Sequence, residues 1–437
     1  MIPAGVQPVD ARIPWMGVVP SEWAVLPLMA CVKKRECANH GGLEQNVLSL
    51  SYGRILRRDV ATNSGLLPEN FDSYNRVSPG DVVLRLTDLQ NDVTSLRVGL
   101  VREPGIITSA YTTLSADPAK LISEWLFYLL HAYDARKVFY SLGGGVRQSA
   151  KFEDLRHLLV IVPPLRTQRS LTAFLDRRTA AIDSLLQKKE RLLELMEEKR
   201  QALISHTVTK GLDPHVDMKN SGVAHFGKIP TSWQVLPLRR VIREFVDYRG
   251  RTPTKVDAGI PLITAGAIRD GRIEHSRAPE YMEPSEYNEF MSRGRPAVGD
   301  MVFTTEAPLG EVALVEDASH AFAQRVILFR MNSLRMTSKY LRLFYLSSPG
   351  RDEIKSRASG STAEGIRADR LRGSAVIVPP VETQQLIAAE LDAKLVAFEP
   401  LLRRLETQVA RLREYRQALI GAAVTGQLSE SVETEAA

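Results

Sequence analysis

Val160-Ile161-Val162-Pro163-Pro164, with Thr167-Gln168 close behind, returns 216 positions later as Val376-Ile377-Val378-Pro379-Pro380 with Thr383-Gln384. The same interval carries Arg200-Gln201-Ala202-Leu203-Ile204 onto Arg416-Gln417-Ala418-Leu419-Ile420. Upstream of each junction, Gly17, Pro20, Trp23 and Val25-Leu26-Pro27-Leu28 recur 210 positions on as Gly227, Pro230, Trp233 and Val235-Leu236-Pro237-Leu238. The chain therefore states one plan twice. Each copy has a Pro/Trp opening, a mixed region of short apolar runs and turns, a short apolar strand, a Pro-Pro break and a long helix. A tandem copy of a whole domain gives approximate two-fold symmetry. That suits a partner with two separated sites, such as a DNA duplex.

The helices carry the clearest periodicity. Leu171, Leu175, Ile182, Leu185, Leu192, Met196 and Leu203 form a heptad seam, with Arg178, Lys189 and Lys199 at skipped positions. The second copy supplies Ile387, Leu391, Phe398, Leu401, Leu405, Leu412 and Leu419. Each helix is expected to run for about 40 residues, roughly 60 Å at 1.5 Å per residue. Pro400 should kink the second or break it. One apolar stripe on so long a helix needs a partner. The duplicated helix is a matched one, so an antiparallel intramolecular pair is expected, the alternatives being that each helix packs on its own domain or that the chain dimerises through them.

The mixed regions are punctuated alike. Gly80-Asp81 precedes Val82-Val83-Leu84, and Gly299-Asp300 precedes Met301-Val302-Phe303, each a tight turn entering a buried strand. Aromatic helices are expected around Trp125-Leu126-Phe127-Tyr128 and Tyr340-Leu341-Arg342-Leu343-Phe344-Tyr345, as core elements rather than stacking platforms. The reading is an α/β fold of mostly antiparallel strands. It divides into an N-terminal segment 1–22, a variable domain 23–165, a helix 166–206, a linker 207–230, a second variable domain 231–381, a helix 382–422 and a tail 423–437.

With 437 residues, 44% hydrophobic and 25% charged, the chain can hold two or three soluble domains. Its net charge of +6 fits a nucleic-acid partner without requiring one. Cys31 and Cys37 have no counterparts in the second copy, which reads as free thiols in a reducing cytoplasm rather than a zinc site. No stretch approaches the ~18 apolar residues that span a bilayer. The N-terminus lacks the pattern of a signal peptide.

Catalytic signatures are missing. Gly222 to Lys228 has phosphate-loop spacing, but Ile229 stands where a metal-ligating Ser or Thr is needed, and Pro230 blocks the helix. Glu353-Ile354-Lys355 has a nuclease-like shape but no preceding Pro-Asp. No Asn-Pro-Pro-aromatic or Asp-Pro-Pro-aromatic motif for base methylation occurs, and no His-Glu-x-x-His or Cys-x-x-Cys cluster. What repeats instead is a polar loop ahead of the last strand. It runs from Gly143 to Lys151 in one copy and from Ser359 to Arg367 in the other, keeping a glycine and a trailing cation. Glycine allows close backbone approach, and the cation can hold a phosphate.

Two variable domains, each closed by Val-Pro-Pro-x-x-x-Thr-Gln and a long helix ending near Gln-Ala-Leu-Ile, resemble the specificity subunit of type I restriction–modification enzymes. Gly227, Ile229, Pro230 and Trp233 belong to the same pattern, as do Gly299 to Phe303 with Glu306-Ala307-Pro308-Leu309-Gly310. The resemblance covers essentially the whole chain. It implies two target-recognition domains related by pseudo-two-fold symmetry, separated by two long antiparallel helices in an intramolecular coiled coil. Each domain would read half of a split site in double-stranded DNA. The helices would set the spacing and dock two methyltransferase subunits of an adenine-methylating complex, and motor–nuclease subunits would join them. The resemblance implies no cofactor on this chain, with S-adenosylmethionine, ATP and magnesium on the partners. Divergence between Arg54-Ile55-Leu56-Arg57-Arg58 and Tyr248-Arg249-Gly250-Arg251-Thr252 points to an asymmetric target.

Arg, Asn and Gln can make bidentate contacts to base edges, and Arg and Lys hold phosphates. Candidate DNA contacts in the first domain are Arg54, Arg57, Arg58, Arg85, Thr87, Asp88, Gln90, Asn91, Arg147, Gln148 and Lys151. In the second they are Arg249, Arg251, Thr252, Arg269, Arg272, Thr304, Thr305, Arg325 and Arg367. Two other readings stay open: a coiled-coil scaffold whose variable domains bind proteins, and a self-contained methyltransferase or nuclease. The first predicts no sequence-selective DNA binding, the second methyl transfer or cleavage by the isolated chain.

Overall fold

The computed structural model describes residues 8–10, 13, 15–59, 70–92, 96–144, 148–250, 252–360 and 364–428. They fall into two units. The first takes the chain up to Lys189 together with the stretch from Thr407 onward; the second takes Glu190–Glu406. Both boundaries lie inside long helices, Leu165–Lys210 and Val381–Val424.

The repeated sequence landmarks find each other within each unit. In the first, strand Ala24–Pro27 pairs antiparallel with Leu159–Val162, Val25 opposite Ile161. In the second, Gln234–Pro237 pairs with Ala375–Val378, Val235 opposite Ile377. The main sheets also share one strand order. The first unit has Val32–Lys34, Thr112–Ala116, Val82–Leu84 and Val98–Leu100 side by side; the second has Ile242–Asp247, Val326–Met331, Met301–Thr305 and Leu309–Leu314. All these pairings are antiparallel. The Gly-Asp turns work alike: Gly80 and Gly299 take φ of 94° and 89°, and the buried Asp81 and Asp300 carboxylates accept from the Ser78 and Ala297 amides at 2.8 Å. The second unit adds a small sheet containing one parallel pairing, Leu262–Ile263 with Ala321–Phe322.

The aromatic helices, Ser123–Ala135 and Ser338–Leu346, are core elements. Trp125 is fully buried and its indole donates to the Ile161 carbonyl at 3.1 Å; Tyr340 is fully buried and donates to the Val208 carbonyl at 2.9 Å. The Pro-Pro junctions owe their form to a buried glutamine. Gln168 donates to the Lys120 and Pro163 carbonyls and accepts from the Ile122 amide. Gln384 does the same with Arg335, Pro379 and Thr337.

Within the first unit the two long helices run antiparallel: Asp183 meets Arg416 at 2.9 Å, and Lys189 meets Gln408 at 2.6 Å. The heptad spacing holds, but three seam assignments are corrected. Leu185, Leu192 and Leu401 are 42%, 46% and 53% exposed, whereas Leu186 and Leu402 are buried, as are Ile204 and Val409. A seam of period 3.5 advances by alternating threes and fours, and the step from Ile182 is four. The second helix passes unbroken through an exposed Pro400.

Three domain limits also shift. Residues 207–230 are not a linker. The first long helix extends to Lys210, then Met218–Asn220 pairs with Lys228–Pro230, and Phe226 and Ile229 enter the second unit's core. The corresponding hairpin, Pro8–Asp10 with Val18–Pro20, lies in the supposed N-terminal segment, so the repeat begins earlier than Gly17. Ala423 and Val424 are fully buried rather than part of a tail. In each case few but well-placed apolar residues outweigh the loop-like composition.

Candidate nucleic-acid interface

The repeated polar loops are built alike. Gly144 and Ser149 exchange backbone hydrogen bonds, and the Ala150 amide donates to the Leu86 carbonyl at 2.9 Å. In the second unit Ser359 and Gly365 exchange them, and the Ile366 amide donates to the Thr305 carbonyl at 3.0 Å. The trailing cations Lys151 and Arg367 then occupy the positions just before short helices, Phe152–Leu155 and Ala368–Arg372. Residues 145–147 and 361–363, between the closing bonds, lie outside the described residues, and the candidate Arg147 with them.

In the second unit the loop opens beside a pocket of about 750 Å³. Two of the expected residues, Arg249 and Arg367, line it together with Arg239 and Arg372, which periodicity did not single out. Arg249 is paired with Asp247, Nε to Oδ1 at 2.9 Å, and Arg367 with Asp369 at 3.3 Å. Burial alone would raise the Asp247 carboxyl, but the Arg249 guanidinium and amide hold it below the usual range. Arg372 lies over the Phe245 ring, 4.2 Å from its centroid.

In the first unit the candidates cluster on the loop Arg85 to Asp92, and a residue not foreseen holds it. Arg97 is fully buried. Its guanidinium donates to the carbonyls of Arg85 at 3.0 Å, Thr87 at 2.8 Å and Asp88 at 3.2 Å, to that of Asp92, and to the Tyr140 hydroxyl at 3.0 Å. Asp88 takes φ of 57° and accepts from Asn91 at 2.8 Å. Gln90 and Asn91 are exposed, and Arg85 pairs with Asp92 at 3.5 Å. Spending a whole guanidinium on carbonyls fixes a loop that has no regular structure of its own.

Behind this loop the Asp134 carboxylate accepts from the Arg97 amide at 2.6 Å, while its other oxygen has no partner. Burial pushes this carboxyl up to about 6, against the lowering effect of the Arg97 amide and the Lys137 charge. A carboxyl raised in the folded state stabilises below its unfolded value, and that contribution is lost as pH rises through about 6. Asp134→Asn, which keeps the acceptor, is expected to gain stability over the wild type between pH 4 and pH 7, by about 3 kcal/mol at the upper end. Urea unfolding across that range checks it; parallel curves for the two proteins would refute it.

Other candidates are placed elsewhere. Thr304 and Thr305 are buried, and their hydroxyls serve the Glu311 amide and the Arg325 carbonyl. Gln148 spends its amide on the Tyr140 and Leu142 carbonyls. Arg54 pairs with Asp183 at 2.9 Å and Arg272 with Glu399 at 3.6 Å, so each holds a hairpin against a long helix. Arg57 is bound by Glu103, Arg269 by Glu311 at 3.6 Å and Arg325 by Glu306 at 3.0 Å. Arg58 is half-buried, Lys151 and Thr252 are exposed, and Arg251 lies outside the described residues.

The motifs set aside on sequence grounds have structural roles. Lys228 opens a strand rather than a helix. Glu353 is buried, receives the Ala375 amide at 2.6 Å and bonds His225 at 2.9 Å and Arg357. Among the described residues no group of three or more His, Cys, Asp or Glu could hold a metal ion, and no helix is long and apolar enough to cross a membrane. Cys31 and Cys37 are free thiols.

Residues 256–398 match the type I restriction modification DNA specificity domain family. The chain is 18% identical to the type I restriction enzyme EcoKI specificity subunit of Escherichia coli (strain K12), over 94% of this chain and 90% of that one. It is 21% identical to the putative type I restriction enzyme MjaX specificity subunit of Methanocaldococcus jannaschii, over 71% and 69% respectively. The fold is shared with a solved chain from a type I R-M system, at a TM-score of 0.63 and 16% identity, covering 94% of this chain and 99% of that one.

Proposed function

We propose that this chain, which belongs to the type I restriction–modification specificity subunits, is the non-catalytic member that reads an asymmetric, bipartite site in double-stranded DNA. The observation that carries the reading is the contrast between the two units. Sheet order, Pro-Pro junction and polar loop are the same, while the side chains around the loop differ: an arginine-held loop in one, an arginine-lined pocket in the other. Shared scaffolding with unlike surfaces is what two different half-sites require. Positioning by phosphate contacts and discrimination by base-edge contacts would both be available from Arg, Asn and Gln on these loops.

In this reading the two recognition domains form a pseudo-two-fold pair, and the paired helices set the number of unread base pairs between half-sites. Two methyltransferase subunits bind the helices and bring S-adenosylmethionine. Motor–nuclease subunits bring ATP and magnesium. The test is a genome-wide map of adenine methylation in a host with and without this gene. A split motif with two unlike halves should vanish when the gene is removed. Loss of no motif, or loss of a continuous one, would refute the proposal.

A further inference from the structure

Four guanidinium groups line the second unit's pocket, and they are not equivalent. Arg249 and Arg367 are matched by Asp247 and Asp369. Arg239 and Arg372 are exposed, and among the described residues neither has a carboxylate partner. They reach the pocket from the same end of the opening and closing strand pair, one from each strand, Arg239 two residues after Pro237 and Arg372 three before Ala375. Arg372 is steadied by the Phe245 ring, which aims the planar group without neutralising it. The pocket thus keeps two uncompensated positive charges in a concavity. A recess of this kind fits a ligand that protrudes and is anionic. On a duplex that is the phosphate backbone; base edges lie in the grooves and need a protruding reader.

We propose that Arg239 and Arg372 form a phosphate clamp that grips the DNA backbone without regard to sequence, and that the clamp is one-sided. The inference rests on the DNA-reading function proposed above. Pairing register identifies the corresponding positions of the first unit. Met29 stands for Arg239 and Lys34 for Phe245, while Arg156 stands for Arg372. One guanidinium is therefore replaced by a thioether. Arg156 has a hydrogen bond to His157, at 3.0 Å, where Arg372 has a ring.

The test uses the full chain assembled with its methyltransferase subunits and two duplexes, one carrying the mapped motif and one with that motif scrambled. Binding is measured across a salt series. R239A and R372A should each weaken both duplexes by the same factor. Each should also reduce the steepness of log K against log [salt] by about 1. F245L should reproduce part of the R372A loss and add nothing to it in the double variant. R372K, which keeps the charge without the stacked plane, should keep the steepness with weaker binding. A changed preference between duplexes, or an unchanged salt dependence, would overturn the clamp. Wild-type complex that fails to prefer the motif would instead overturn the DNA-reading function.

Discussion

Gln384→Leu is expected to unfold the second unit under conditions where the wild type is folded, and Gln168→Leu to do the same to the first. Leucine matches glutamine closely in volume, so the loss is not one of packing. It is the loss of partners. In the second unit the Thr337 amide and the Arg335 and Pro379 carbonyls all depend on one fully buried amide group. Each buried backbone group left without a partner costs about 1–3 kcal/mol, so the three together cost roughly 3–9 kcal/mol. That is a large share of the about 5–15 kcal/mol that keeps a domain folded. Peptide-resolved hydrogen exchange separates the two units. Gln384→Leu should raise exchange across Gln234–Pro237 and Ala375–Val378 while leaving Ala24–Pro27 and Leu159–Val162 protected. A loss below about 1 kcal/mol would show that the amide is dispensable.

This glutamine shows what the sequence made legible and what it hid. The Thr-Gln pair was plain as a repeated landmark. Its task was not, because Ile122 and Thr337 precede their glutamines by 46 and 47 positions and no local pattern joins them. The duplication, the antiparallel helices of the first unit and the strands after Gly80 and Gly299 followed from periodicity and turn chemistry, which are local. Seam register failed at Leu185 and Leu401, because residues 185 and 186, or 401 and 402, are apolar alike and a single helix cannot choose between them. Site residues were hardest. Arg54 and Arg272 look in sequence like Arg239 and Arg372. Only the fold places Asp183 and Glu399 beside the first two and, among the described residues, leaves the others without a carboxylate. The signal that could have raised Arg239 and Arg372 is their position immediately inside the repeated strand landmarks.

Arg97→Met is expected to dissolve the loop Arg85 to Asp92 and, under the proposed reading of a bipartite site, to affect one half-site only. Methionine can fill the buried stem but donates nothing. Four loop carbonyls and the Tyr140 hydroxyl would lose their donor together. Charged hydrogen bonds of this kind contribute about 1.5–3 kcal/mol each when buried. The loop can recover part of that by turning its carbonyls to water, so a net loss of roughly 4 kcal/mol is expected in the first unit. Arg97→Lys should be nearly as damaging, because a point-like ammonium cannot span carbonyls on both sides of the loop as the guanidinium fork does. The functional readout is a methylation map from a host carrying the variant. One half of the motif should become degenerate while the other keeps its bases, since the Arg239 and Arg372 pocket belongs to the other unit. Degeneracy confined to one half would assign that half to the first recognition domain. An intact motif with full occupancy would mean that the loop plays no part in reading DNA, however firmly Arg97 holds it.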